Sequence, residues 1–163
     1  MRQRGVTLIQ MMFALAMAAL LTQLGMPAYA RLSDDLHRAA AARDLAQALR
    51  SARSHAMLQS QQVLVQSLED DWGKGWRVLL EHNQQVLREH RLSRPVNIAA
   101  NTGRQVKFSA LGVPLGVNNG LLGGRLELCE KPSSKSQYRV VLATSGRISL
   151  RTDEPEKSLC AGR

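Results

Sequence analysis

Residues 1–30, MRQRGVTLIQMMFALAMAALLTQLGMPAYA, decide the architecture. Arg2 and Arg4 lead the segment, and no other charged residue occurs before Arg31. The uncharged run from Val6 to Ala30 is long enough to cross a bilayer core of about 30 Å as a helix. Basic residues on the short flank keep that end in the cytoplasm and send the rest across. Three readings compete. Ala28-Tyr29-Ala30 is a small-x-small site of the kind that ends a cleaved signal peptide. The run could equally be a plain N-terminal anchor. In the third reading the same residues direct export first and anchor the chain afterwards.

The residues after Ala30 bear on that choice. A discarded signal predicts a break in the pattern, but helical spacing continues. Leu32, Leu36, Ala39, Ala40, Leu45, Leu49, Ala52 and Ala56 recur at that spacing, with charges on the other faces. The pattern predicts one long helix, apolar all round over 6–30 and amphipathic over 31–60. Pro27 removes one backbone hydrogen bond inside it and predicts a kink.

From 61 onward the period changes. Ser60-Gln-Gln-Val-Leu-Val-Gln-Ser-Leu68 predicts a strand. Gly73 and Gly75 predict a turn, and Trp76–Leu80 a second strand. A link at His82–Gln85 leads to a third strand through Val86 and Leu87. Further strands are expected near Val106–Phe108, Arg125–Cys129, Tyr138–Ala143 and Ile148–Leu150. Gly112–Gly124, rich in Gly, Asn and Pro, is expected as loop, and Pro132–Gln137 as a polar turn. The polar tail is expected to be held only by Cys160. The fold class is therefore α+β: a long N-terminal helix packed on an antiparallel β-sheet domain at 61–163.

The chain has 163 residues, a net charge of +9 and a pI near 10.6. That balance favours nucleic acid, anionic lipid or an acidic protein face as partner. Aromatics are only 4% of the chain, so the core must rest on Leu, Val, Ala and Ile. The two cysteines, Cys129 and Cys160, lie after an export-type segment. That placement is read as one disulfide, worth about 3–4 kcal/mol by loop entropy, against the alternative of two unrelated thiols.

No active site emerges from the motifs, and no cofactor or metal is expected. His37, His55, His82 and His90 are dispersed, without metal-ligand spacing; His82 and His90 flank a hairpin and could approach across it, but are read as a surface pair without function. Ser145-Gly146 lacks the flanks of a nucleophile elbow. Gly123-Gly124 and Gly73-Lys-Gly75 lack the strand–glycine–helix setting of a phosphate loop. Glu69-Asp70-Asp71 is read as a solvated turn, and Trp72 and Trp76 as packing residues. The helical arginines Arg38, Arg43, Arg50 and Arg53 are read as a solvated face or as subunit contacts, with DNA contact there as the lesser alternative.

The C-terminal third holds the better candidate. In Ser145-Gly-Arg-Ile-Ser-Leu-Arg151, strand periodicity puts Arg147, Ser149 and Arg151 on one face and Ile148 and Leu150 on the other. Two guanidiniums with a hydroxyl between them can engage phosphates of a nucleic-acid backbone. Lys131, Lys135 and Arg139 are expected alongside, on the neighbouring turn and strand. The competing reading is an edge strand whose charges guard it against aggregation.

The junction Arg4-Gly5-Val6-Thr7-Leu8-Ile9-Gln10 resembles the prepilin signal of type IV pilins and type II secretion pseudopilins. The later motifs are similar to the GspH/FimT family of minor pilins and pseudopilins, most like FimT. They are Leu49-Arg-Ser-Ala-Arg-Ser-His-Ala56, Trp72-Gly-Lys-Gly-Trp76, Phe108-Ser-Ala-Leu-Gly112, Leu126-Glu-Leu-Cys129 and Gly146-Arg147. The resemblance implies a type IV pilin-like fold, a leader of residues 1–5, and cleavage by prepilin peptidase between Gly5 and Val6. It also implies methylation of the new N-terminus, a single-pass inner-membrane anchor with a periplasmic C-terminal domain, and assembly with major and minor pilins. FimT-like members include receptors for double-stranded DNA in natural transformation, with a Gly-Arg-x-Arg motif. Here the second arginine comes four residues after the first. Gln10 stands where the family pattern has Glu, so this chain lacks a carboxylate to pair with a neighbour's amino terminus. That points to a subunit used sparingly. The runner-up is a type II secretion pseudopilin with a structural role and no DNA binding.

Overall fold

A computed structural model describes residues 7–130, 136–153, 155 and 157–162. The chain divides into two compact units, Met1–His37 and Arg38–Arg163. One helix, α1, runs from Leu8 to Gln59 with Pro27 inside it.

The helix begins where the Thr7 carbonyl accepts the Gln10 and Met11 N–H groups. In return Gln10 Oε1 accepts the Thr7 N–H at 3.1 Å. This is the reach-back half of a capping box in a Thr-x-x-Gln start, and it satisfies a donor the helix itself leaves unpaired. The Thr22 hydroxyl likewise donates to the Ala18 and Ala19 carbonyls. Within the first unit the described large side chains, among them Leu8, Phe13, Leu21 and Tyr29, are exposed. By length and composition the helix is apolar enough to cross a membrane.

In the second unit the helix carries a buried stripe. It comprises Ala39, Ala41, Ala42, Leu45, Ala46, Ala48, Leu49, Ala52 and Ala56. Leu32, Leu36 and Ala40, expected on that face, are exposed. Periodicity marks a face; it does not mark where a partner begins to cover it. Most of the stripe is alanine, so the helix axis lies close to what it covers.

Among the described residues nine strands succeed the helix: β1 (Val63–Leu68), β2 (Asp71–Leu80), β3 (Val86–Arg91), β4 (Asn97–Ala100), β5 (Gln105–Phe108), β6 (Pro114–Leu115), β7 (Gly124–Cys129), β8 (Ser136–Leu142) and β9 (Ile148–Arg151). They form two antiparallel sheets rather than one. The first has five strands in the order β3-β2-β1-β5-β6, the second four in the order β4-β7-β8-β9. Val63, Val65, Trp76, Val78 and Phe108 of the first sheet share one core with Leu126, Leu128, Val140 and Leu142 of the second. From Ala41 to Ala56 the helical stripe belongs to the same core. Alternation within the strands supplies this face, as in Val63 and Val65 or Leu126 and Leu128.

The Trp-Gly-Lys-Gly-Trp stretch is strand, not turn. Gly73 and Gly75 lie inside β2, and the chain reverses earlier, at Glu69 and Asp70, which both have positive φ. The glycines are there for close approach. A Cβ on Gly75 would meet the His90 carbonyl oxygen of β3 at 2.2 Å, and the residue has φ +135°. A Cβ on Gly73 would meet the Val96 carbonyl oxygen at 2.0 Å. There the chain passes over β2 toward β4, and the Val96 N–H bonds the Gly73 carbonyl. Trp72 and Trp76 are buried, with Trp72 Nε1 donating to the Gly103 carbonyl and Trp76 stacked on His90.

Two short strands lie beyond what the sequence pattern predicts. β4 carries a buried Ile98-Ala99 pair in a four-residue strand, too short for alternation to register. β6 sits inside the expected Gly112–Gly124 loop, which closes on itself through the Leu115–Leu121 bridge.

Candidate nucleic-acid interface

The candidate face is an edge. β9 pairs with β8 alone, with Arg139 opposite Arg151 and Val141 opposite Ser149. The turn before it is tight: the Gly146 N–H bonds the Ala143 carbonyl, and the Ala143 N–H bonds the Arg147 carbonyl. That second bond carries the ladder back through Arg147. Arg147 and Arg151 are exposed and Ser149 half-buried, while Ile148 is buried and Leu150 half-buried. The four-residue separation of the arginines spans about 13 Å along a strand. Among the described residues the Arg147 side chain has no hydrogen bond or ion pair.

Arg139 shares this side of the pair but is placed differently from expectation. Its side chain is only 10% exposed, and it bonds Asp153 Oδ2 at 2.6 Å. β8 is an interior strand, and the chain leaving β9 brings Asp153 across it. The Arg139 hydrogen bond holds the Asp153 carboxyl below its ordinary range, with Arg151 adding a smaller effect. Arg139 is thus neutralised within the fold. Lys131 and Lys135, the other flanking candidates, lie outside the described residues, as do Gly5 and Val6 of the processing junction.

Arg50 and Arg53 are not a merely solvated face. Arg50 Nη2 donates to the Ile148 carbonyl at 3.3 Å, and Arg53 Nε to the Gly112 carbonyl at 3.0 Å. Both pin backbone beside the β8–β9 turn. Gly146, at φ +83°, has room only for hydrogen, because a Cβ there would lie 2.3 Å from the Gly112 carbonyl oxygen.

The tail is held by more than its half-cystine. Cys129 and Cys160 form a disulfide with their Cα atoms 5.8 Å apart. Beside it Glu127 is fully buried. Glu127 Oε2 accepts the Leu159 N–H at 2.8 Å and the Ser158 hydroxyl at 3.1 Å. Arg125 Nε lies 2.9 Å from Glu127 Oε1, a close charge contact without hydrogen-bond alignment. Arg125 also donates to the Lys157 carbonyl. The signal for Glu127 was available in the sequence: two residues before Cys129 on a strand, it faces whatever Cys160 brings over.

His82 and His90 do not meet. His82 lines a polar recess with Gln61, Gln62 and Glu81, whereas His90 stacks on Trp76 and lies 3.8 Å from Asp44. Among the described residues no group of three or more His, Cys, Asp or Glu could hold a metal ion.

A long helix, apolar in its first half and laid on antiparallel sheets in its second, defines a type IV pilin-like protein. The chain belongs to the GspH family, whose model, described as type II transport protein GspH, matches residues 41–146. The family and fold are those of structural pilins. Two crystal structures of the type IV minor pilin FimU from Pseudomonas aeruginosa (strain PAO1) share the fold. The one in space group P21 is 23% identical with a TM-score of 0.63, covering 77% of this chain and 97% of that one. The one in P65 is 25% identical with a TM-score of 0.60, covering 72% and 96%. No curated protein matches the sequence.

Proposed function

We propose that this chain is a minor pilin of a type IV pilus that binds extracellular double-stranded DNA for uptake in natural transformation. The contacts are to phosphates and carry little sequence preference. The observation behind this reading is the exposed Arg147–Arg151 edge, where Arg147 has no acidic partner among the described residues. The test is a titration of the full-length chain, in non-ionic detergent, against a double-stranded oligonucleotide from 50 to 200 mM salt. Binding should weaken steeply with salt, and replacing Arg147 and Arg151 together with Gln should reduce the slope by about 1.8, two phosphates at about 0.9 each. No binding at low salt, or an unchanged slope in the double variant, would end the proposal.

The N-terminal unit has its own role in this reading. Prepilin peptidase removes residues 1–5, and the helix from Val6 anchors the subunit in the inner membrane and later packs among other pilins. The β domain is periplasmic before assembly and extracellular after it. Gln10 caps its own helix, which fits a subunit that dispenses with the usual intermolecular ion pair. Mass spectrometry of the native protein should find a methylated Val6 at the mature N-terminus. A start at Arg31 would instead mean a cleaved signal peptide.

A second reading is favoured by the description of the matching family model. The chain would be a type II secretion pseudopilin with a structural role. Loss of secretion in a deletion strain, with transformation intact, would select it.

A further inference from the structure

The β8–β9 turn is where the helix and the candidate DNA edge meet within the second unit. Arg53 reaches it through its Nε bond to the Gly112 carbonyl. A Cβ on Gly146 would lie 2.8 Å from Arg53 Nε and 3.2 Å from its Cζ, so the guanidinium rests against the residue that precedes Arg147. Arg50, one turn earlier on the same helical face, bonds the carbonyl of Ile148, the residue immediately after Arg147. Two helical guanidiniums thus bracket Arg147.

The charge around this junction is unbalanced. Elsewhere in the domain several cations face carboxylates: Lys74 and Arg91 face Glu69, Arg104 faces Asp70, Lys107 faces Glu81, Arg125 faces Glu127 and Arg139 faces Asp153, while Arg77 bonds the Gln66 amide oxygen. Among the described residues neither Arg50 nor Arg53 forms an ion pair, and each spends one nitrogen on a backbone carbonyl. A guanidinium has five N–H donors. Latching the turn therefore leaves most of each fork for an outside acceptor, and a planar fork suits phosphate oxygens.

We propose that Arg50 and Arg53 extend the DNA-contacting surface from the β9 edge onto the helix, each holding the turn with one nitrogen and a phosphate with the others. This rests on the DNA-binding reading and assigns it two further residues. The nearest sequence pattern, Gly146-Arg147 with Arg151, contains neither of them.

The test uses the wild-type full-length chain in non-ionic detergent. Arginine side chains are modified with phenylglyoxal, with and without a double-stranded oligonucleotide at 50 mM salt, and the modified positions are mapped by peptide mass spectrometry. DNA should slow modification of Arg50 and Arg53 at least threefold, as at Arg147, and leave Arg104 unchanged. Protection at Arg147 without protection at Arg50 and Arg53 would overturn this inference and leave the DNA-binding reading standing. No protection anywhere, with no binding, would overturn the reading itself. As an independent measure, Arg50→Gln and Arg53→Gln should each lower the salt slope by about 0.9. A slope unchanged in both variants would mean that they only position the turn.

Discussion

Gly75→Ala is expected to destabilise the β domain by about 3 kcal/mol or more, from strain at positive φ and from overpacking against backbone. The new methyl would lie 2.2 Å from the His90 carbonyl oxygen and 2.9 Å from the Arg91 Cα, neither of which can turn aside as a side chain would. Either β3 moves off β2 or β2 bends. Both disturb the Trp76–His90 stack and the cover over Trp76, which is 1% exposed. Gly103→Ala is the control, because Gly103 also has positive φ (+78°) but nothing within 4 Å of its would-be Cβ. It should cost only about 1 kcal/mol. Urea unfolding of the two variants separates strain from collision, and equal losses would refute the role given to β3.

Glu127→Ala is expected to cost about 3 kcal/mol or more, comparable with removing the disulfide, which typically costs about 2–5 kcal/mol. The substitution leaves the Leu159 N–H and the Ser158 hydroxyl without their acceptor, and Arg125 without its counter-charge, around a carboxylate that is itself fully buried. Glu127→Gln keeps an acceptor oxygen and should lose about 1–2 kcal/mol. Limited proteolysis gives the second measurement. With both cysteines replaced by Ala, the Ser158–Cys160 segment should still resist cleavage, and adding Glu127→Ala should open it. If the tail is released equally in both backgrounds, the carboxylate does not hold it.

Gly75 and Glu127 differ in how far the sequence alone reveals them. The Trp-Gly-Lys-Gly-Trp motif is visible in the chain, yet its glycines look like a turn. A glycine permits both a reversal and a close approach, and only the position of β3 and of Val96 tells them apart. Glu127 is visible only as the middle of Leu-Glu-Leu-Cys. The alternation that puts Leu126 and Leu128 in the core sends Glu127 to the other face, which is normally solvent. A tail from a distant part of the chain buries it.

The candidate site divides in the same way. Period-2 alternation finds Arg147 and Arg151, and they are exposed. Arg139 obeys the same alternation but meets Asp153, a partner that no local pattern predicts. Helical periodicity sees only the helix, so it leaves Arg50 and Arg53 on an outer face and misses the carbonyls they hold.

The sequence by itself determined the class of protein. An uncharged helix continuing into an amphipathic one, then strands and a late cysteine pair, is local information, carried by the period of apolar residues along the chain. The tertiary structure alone decided that the strands form two sheets. It also decided which arginines are neutralised and which converge at the β8–β9 turn. The reason is physical. Periodicity sets which face a side chain takes, but burial and charge balance depend on what distant chain lies over that face.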